Sequence, residues 1–478
     1  MATENAPTTI EELEAALKDD YKVKLAGIDV DNVLRGKIMQ KEKFLSCVKS
    51  SSRSFGFCSV VFGWDIHDQT YTKELSISNL SNGYRDIEAR IDISTLRRIP
   101  YEGNIPLFLV TFIDPETGKG LHACPRALLQ KVIGQLSDEL SVKPYSGAEF
   151  EFFQFKETPA SVHDKGFRNL QTLTPGMHGY SMLRTQVSGP YFHDVYDTCR
   201  DFGIPLEGWH TETGPGVYEA ALAYTDSLRM ADNAILFKMT CKALGYKYDI
   251  MPTFMAKPHN GLPGCSGHIH VSLQDSNGRN IFALEEGKTR DDAKWADLKY
   301  VSKECEWFLA GVLAGLPDIM PCLVPTINGY KRLVENFWAP VNVSWGYESR
   351  LASVRLISPP LASPKATRLE IRVPGADMNV HYAFAAIFAL GLHGIKNKME
   401  LTIQPTSQVK PENHATAFDR LPRDLNEATQ RFKAPNSLAR QTLGDAFVDH
   451  FAGTREHEWM LYSQTVSDWE LARYFELV

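Results

Sequence analysis

The segment Gly147–Phe155 constrains this chain more than any other. It runs Gly147, Ala148, Glu149, Phe150, Glu151, Phe152, Phe153. Aromatics alternating with single acids predict a β-strand, where successive side chains point to opposite faces. Glu149 and Glu151 then share one face, and Phe150 and Phe152 enter a core on the other. Two carboxylates ~4 Å apart repel by about 4 kcal/mol at an effective dielectric near 20. A divalent cation would relieve that repulsion. A solvated acidic face is the plainer alternative, and this segment alone does not choose between them.

Four further segments bear on the choice. Glu212 and Glu219 flank Gly214-Pro215-Gly216, a tight reversal that would bring Glu219 back toward Glu212. His268 and His270 follow a glycine turn at Gly264 and share one strand face by alternation, a pattern suited to metal or phosphate. In Arg368–Val373, Arg368, Glu370 and Arg372 point one way and Leu369, Ile371 and Val373 the other. Guanidinium groups fork onto phosphate oxygens, although a surface ion-pair ladder has the same pattern. Lys331, Arg332, Arg350 and Arg355 add cations in a Trp- and Pro-containing stretch. Each segment has a bland reading by itself. Together they supply what phosphoryl transfer from ATP requires: acids and imidazoles for metal ions, and arginines for the charge on the transferred group. No P-loop, dinucleotide-binding glycine motif or H-E-x-x-H is present in the sequence.

Composition narrows the class. The chain has 478 residues, 43% hydrophobic and 23% charged, and a net charge of −7, so it lacks the basic field that nucleic acid requires. The start of the sequence carries no signal-peptide pattern, and no run approaching the roughly 20 apolar residues of a membrane span is evident. The eight cysteines are scattered, with no C-x-x-C pair, and read as reduced thiols of a cytoplasmic protein.

The organisation predicted is α+β. A helix is expected over Ile10–Leu17, two strands within Val23–Leu34 around a turn at Asp31-Asn32, and strands over Asp92–Arg98 and Pro106–Phe112, giving a small β-rich domain over 1–115. Residues 116–478 alternate helices (Arg126–Leu140, Ser188–Asp201, Thr225–Leu244, Met378–Ile395) with strands (Gly147–Phe155, His268–Leu273, Arg368–Val373).

The order of these motifs, with Asp29–Lys37 and Asp92–Arg98, resembles the glutamine synthetases from about Lys24 to the C-terminus. The likeness is strongest to the type I-like branch that includes γ-glutamylpolyamine synthetases and fungal relatives. The resemblance implies a small N-terminal β-grasp-like domain and a large catalytic domain with a curved antiparallel sheet flanked by helices. It implies homo-oligomeric rings, as dodecamer or decamer, with active sites between subunits. The substrates implied are glutamate, ATP and an amine, with two or more Mg²⁺ or Mn²⁺ ions per site and no nucleic acid or membrane partner. By the same likeness Glu151, Glu212 and Glu219 hold the first metal, and Glu149, His268 and Glu370 the second. Arg332, with Gly264, Tyr191 and His268 beside it, meets glutamate. Arg350, Arg355, Arg368 and His270 meet ATP, and Arg372, Arg350 and Glu370 act at the reacting groups. The activity implied is γ-glutamyl amide formation through γ-glutamyl phosphate. A non-catalytic structural or regulatory ring, like the lens protein lengsin, is the alternative.

The sequence departs from the family pattern in three places. Trp338 stands where an ammonium-handling glutamate is usual, so an organic amine is expected as acceptor. The stretch Val61–Asp68 replaces an Asp-Gly-Ser-Ser loop, leaving Asp65 or Asp68 as possible substitutes. Val217 follows the Gly214-Pro215-Gly216 turn where glutamine is common.

Overall fold

A computed structural model describes residues 6–335 and 338–478. The N-terminal helix α1 (Ile10–Ala16) is held by a reciprocal capping box between Thr9 and Glu12. Strands β1 (Lys22–Ile28) and β2 (Leu34–Gln40) form an antiparallel hairpin. The second strand begins at Leu34, where the sequence reading had ended it. The Asp29 carboxylate accepts the backbone N–H groups of Asp31 and Val33 at 3.0 and 2.8 Å, which commits those residues to the turn. Helix α2 (Lys41–Lys49) and strands β3 (Ser54–Cys58), β4 (Asp86–Ile99) and β5 (Ile105–Ile113) complete a five-stranded sheet in the order β2-β1-β5-β4-β3. Only β1 and β5 run parallel in it. Turn and strand chemistry alone therefore produce the β-grasp-like unit.

Helix α3 (Pro125–Leu140) leads into the second sheet, built from β6 (Val142–Phe155), β7 (Leu206–Thr211), β8 (Tyr218–Asp226), β9 (Met251–Thr253), β10 (Gly267–Asp275), β11 (Trp345–Tyr347), β12 (Val354–Ile357) and β13 (Arg368–Ile371). Its order is β11-β12-β13-β10-β6-β8-β7, with β9 paired to β6. Neighbours are antiparallel except β11 and β12, which run parallel at the edge. Helices α4 (Pro159–Asp164), α5 (Gly189–Asp201) and α6 (Ser227–Lys247) occupy the connections among β6, β7, β8 and β9. Asp226 caps α6, accepting the Arg229 N–H at 3.0 Å, so that helix starts two residues later than its pattern suggested.

The helix Val380–Lys396 lies within the core along most of its length, as its alanine-rich pattern implies. Lys303–Leu323 is long and apolar enough to cross a membrane, a property the sequence reading passed over, and 83% of its apolar window is buried inside the protein. Packing, rather than lipid, covers it here.

The five-stranded sheet is tied to the rest of the chain by ionic contacts as well as apolar packing. Arg126 at the start of α3 forks onto Asp232 of α6 with two 2.9 Å hydrogen bonds and reaches Thr111 of β5 at 3.0 Å and Asp92 of β4 at 3.1 Å. His381 Nε2 meets the same Asp232 carboxylate at 3.0 Å.

Candidate active site

Strand β6 sits in the middle of the second sheet and delivers its two acids to one face. Phe150 and Phe152 are fully buried on the other, whereas Glu149 and Glu151 are only half-buried. Register then assembles the rest. Glu151 pairs with Glu219 and Glu219 with His210; Glu149 pairs with His268; His270 pairs with Glu370 and Glu370 with Arg355. Directly opposed residues on antiparallel strands have Cβ atoms about 5 Å apart, so these pairings bring the side chains together. The Gly214-Pro215-Gly216 turn closes one end. Gly216 has φ +74°, and a Cβ there would lie 2.8 Å from the Gln154 carbonyl oxygen, so the turn requires glycine.

Two groups of donor atoms result, each lying within 4.8 Å of one another: Glu149, His270 and Glu370, and His210, Glu212 and Glu219. His268 Nδ1 is 3.6 Å from Glu149 and 3.5 Å from Glu370, at the edge of the first group. Glu151 accepts the Ser266 N–H at 2.6 Å beside the second. Of the residues expected as ligands, Glu149 and Glu370 group with His270, His268 and Glu151 lie beside the groups, and Glu212 and Glu219 group with His210, which sequence reading missed. Its ring lies 3.5 Å from Glu219 and stacks under Tyr180 with centroids 4.4 Å apart. The H-x-E spacing of His210, in β7, and Glu212, just beyond its end, was the available signal.

The electrostatics suit divalent cations. Burial and the charges of Glu151, Glu149 and Glu212 push Glu219 up to about 9. Burial also raises Glu149, but hydrogen bonds and charge from His268 and His270 outweigh it and hold that carboxyl well below its usual range. Glu370 is likewise lowered against burial, by His268, His270 and Arg372. A carboxyl raised by burial and further by neighbouring carboxylates fits a site completed by Mg²⁺ or Mn²⁺, which accept oxygen and imidazole donors.

Two clefts flank this row. One, of about 280 Å³, is lined by Glu149, His270, Tyr224, Lys365 and Arg368. Arg368 Nε donates to His270 Nδ1 at 3.2 Å, orienting the imidazole toward Glu149, 3.1 Å away. The other, of about 70 Å³, is lined by Glu151, Glu212, Gly264, His268, Arg332, Trp338 and Arg372. Gly264 is required there, because a Cβ would sit 2.4 Å from the Ala256 carbonyl oxygen and 2.9 Å from Arg332 Cγ. Arg332 is buried, with NH1 and NH2 donating to the carbonyls of Val373 and Arg372 at 2.9 and 3.1 Å. Arg372 bonds Glu370, and its Nε has no hydrogen-bond partner among the described residues.

Arg355 bridges Glu348 at 3.0 Å and Glu370 at 3.1 Å. Arg350 is exposed, and its charge reaches Tyr180 above the second donor group. Tyr191, like Arg350 and Arg355, lies outside the lining of both clefts. It is fully buried in α5, stacked with Tyr218 at 6.4 Å and edge-on to Tyr248. The aromatic packing between α5 and β8 claims it. Of the two acids in the Val61–Asp68 stretch, Asp65 is buried, accepting the His67 and Gln69 N–H groups at 2.8 and 3.0 Å, and Asp68 pairs with Arg35 at 2.7 Å.

The comparisons with known proteins identify an ATP-dependent carbon–nitrogen ligase. The family model for the glutamine synthetase catalytic domain matches residues 122–474, and the chain belongs to the glutamine synthetase family. It is 42% identical to type-1 glutamine synthetase 2 of Dictyostelium discoideum, over 95% of this chain and 84% of that one. It is 34% identical to a glutamate–isopropylamine ligase of a Pseudomonas species, over 95% of both chains. It is 31% identical to a gamma-glutamylethanolamide synthetase of Streptomyces coelicolor, over 100% and 97%. The solved structure of GmaS in complex with ADP shares the fold, with a TM-score of 0.79 over 98% of this chain and 100% of that one at 22% identity.

Proposed function

We propose that the chain joins glutamate to a small organic amine in preference to ammonia, at the expense of ATP, through γ-glutamyl phosphate. The observation that carries the acceptor is Trp338. It lines the small cleft together with Arg332 and Gly264 and is 72% exposed, offering a ring face and no carboxylate. The acid nearest in sequence, Glu335, is paired with Arg420. A tryptophan face holds a cation or an apolar amine body by about 0.5–2 kcal/mol but takes no proton. Relatives named for isopropylamine and ethanolamine products support the same reading.

In this account Arg332 and Arg372 orient glutamate in the smaller cleft, while Arg350, Arg355 and Arg368 meet the ATP phosphates from the larger. The γ-carboxylate oxygen attacks the γ-phosphorus in line, and ADP leaves with the bridging oxygen. Oriented guanidinium groups act by stabilising charge on the transferred group. The amine nitrogen then attacks the acyl carbon; phosphate leaves with its bonding pair, and the nitrogen loses a proton to give the amide. Glu151, Glu212, Glu219 and His210 would hold one metal ion, and Glu149, His268, His270 and Glu370 another. Those ions supply Lewis-acid neutralisation of phosphate charge when bound. Ring assembly, with residues 1–115 as the domain that meets the neighbouring subunit, belongs to this proposal.

The test compares kcat/KM for ammonium, isopropylamine and ethanolamine in the wild type and in Trp338→Glu. The acceptor assignment predicts wild-type preference for the organic amines, shifting toward ammonium in the variant. Wild-type preference for ammonium, or no shift, overturns it.

A further inference from the structure

On the opposite side of β6 from the carboxylates, a cavity of about 640 Å³ opens between the β1–β2 turn and helix α6. Cavities of this size with apolar walls and a few convergent polar groups hold small molecules. Met239 and Phe254 form apolar wall, and Asn32, Lys238, Lys242 and Asp377 supply polar groups. Two oxygens there, Asn32 Oδ1 and Asp377 Oδ1, are buried and have no hydrogen-bond partner among the described residues. Their side chains are nonetheless fixed. Asn32 Nδ2 donates to the Met378 carbonyl at 3.4 Å, and Asp377 Oδ2 accepts from Thr326 Oγ1 at 2.5 Å. Buried acceptors left without donors are costly and are usually satisfied. Asp31, on the same wall, is already engaged by Arg455.

The cations divide in the same way. Lys238 is buried, donates to the carbonyls of Ala376 and Met378, and lies over the Phe150 and Phe254 rings at 4.7 and 5.5 Å. Lys242, one helical turn on, lines the cavity and makes no ion pair or hydrogen bond with any described residue. Among the described residues the walls thus present two acceptor oxygens without hydrogen-bond donors, the Lys242 ammonium outside any ion pair, and an apolar surface, with the Lys238 charge acting on Asp377.

We infer that this cavity is a second small-molecule site and takes a zwitterionic α-amino acid with an apolar side chain. The ligand's ammonium meets Asn32 and Asp377, its carboxylate meets Lys242, and its side chain covers Met239 and Phe254. The site is distinct from both clefts and does not depend on which amine is the acceptor. Its occupant touches the Lys238–Phe150 stack, and Phe150 stands between Glu149 and Glu151 in β6. Binding is therefore felt by the strand that carries both acids.

The test is calorimetric titration of L-leucine, L-methionine and L-phenylalanine into the full chain, with and without saturating glutamate. The expected result is one site per chain for at least one of the three, unaffected by glutamate, with affinity reduced at least tenfold in both Asn32→Gly and Lys242→Glu. Asn32 has φ +64°, so glycine keeps the backbone and removes only the amide. Retained ligase turnover in both variants shows that they fold. The inference is overturned if none of the three binds, if glutamate displaces the ligand, if the two variants bind as the wild type does, or if isobutylamine, which lacks the carboxylate, binds as tightly as leucine.

Discussion

Replacing Asp232 by alanine should cost more than almost any other single change, and the structure gives the size. Asp232 is 2% exposed and Arg126 is 1% exposed. The substitution removes two 2.9 Å bonds from Arg126 and the 3.0 Å contact to His381. It leaves Arg126 with Thr111 and the partly exposed Asp92, close to Arg97, whose Nε and Nη1 have no hydrogen-bond partner among the described residues. Stripping one partner from a buried ion pair costs about 3–5 kcal/mol. The assay is equilibrium urea unfolding of Asp232→Ala, Arg126→Met and the double variant Asp232→Ala/Arg126→Met. The double variant, with no charge left unpaired, should lose less than the sum of the singles by on the order of 1–3 kcal/mol. The pH dependence provides a second check. Burial raises the Asp232 carboxyl, but Arg126 and His381 outweigh it and hold the group well below the usual range. A carboxyl depressed on folding contributes stability above its unfolded value of about 3.9 and loses it as pH falls further. The deficit of Asp232→Ala should therefore shrink below pH ~4. A cost under about 1 kcal/mol, or simple additivity in the double variant, would refute the reasoning.

Three other outcomes follow from the site. Because Glu219 is pushed up to about 9, it carries a proton at neutral pH that a metal ion must displace. Mg²⁺ titration should then release about one proton per site, with affinity rising roughly tenfold per pH unit from 7 toward 9, and Glu219→Gln should abolish the release; calorimetry in buffers of different ionisation enthalpy reads both. Gly264→Ala should leave the circular dichroism spectrum unchanged but raise KM for glutamate at least several-fold, because its Cβ would press on Arg332. Tyr191→Phe should leave both KM and kcat within about twofold, since Tyr191 lies in the core and its hydroxyl has no hydrogen-bond partner among the described residues.

Much of the site was legible because it lies on strands. Alternation fixes which side chains share a face, so Glu149 with Glu151, His268 with His270, and Arg368, Glu370 and Arg372 could be assigned before any pairing was known. What alternation does not encode is register between strands. It is register that joins His210 to Glu219 and sets His270 opposite Glu370, so His210 went unremarked and His270 was assigned to ATP alone. Tyr191 was misplaced for a related reason. Its motif matched the family, but α5 turns the ring into the aromatic layer of Tyr218 and Tyr248. In the N-terminal hairpin the missing information was side-chain chemistry, because the Asp29 carboxylate extends the turn to Val33 and displaces β2. Burial of the Lys303–Leu323 helix was equally invisible, since apolarity is the same whether the cover is protein or lipid.

The central claim, that the two donor groups and the arginines perform ATP-driven amide formation, is tested most directly by phosphate release from Mg²⁺-ATP with glutamate and a panel of amines. The account predicts release that requires glutamate and an amine together, falls at least a hundredfold in Glu212→Ala, and accompanies a γ-glutamyl amide in equal amount. Release that ignores the amine, or survives Glu212→Ala unchanged, would contradict it.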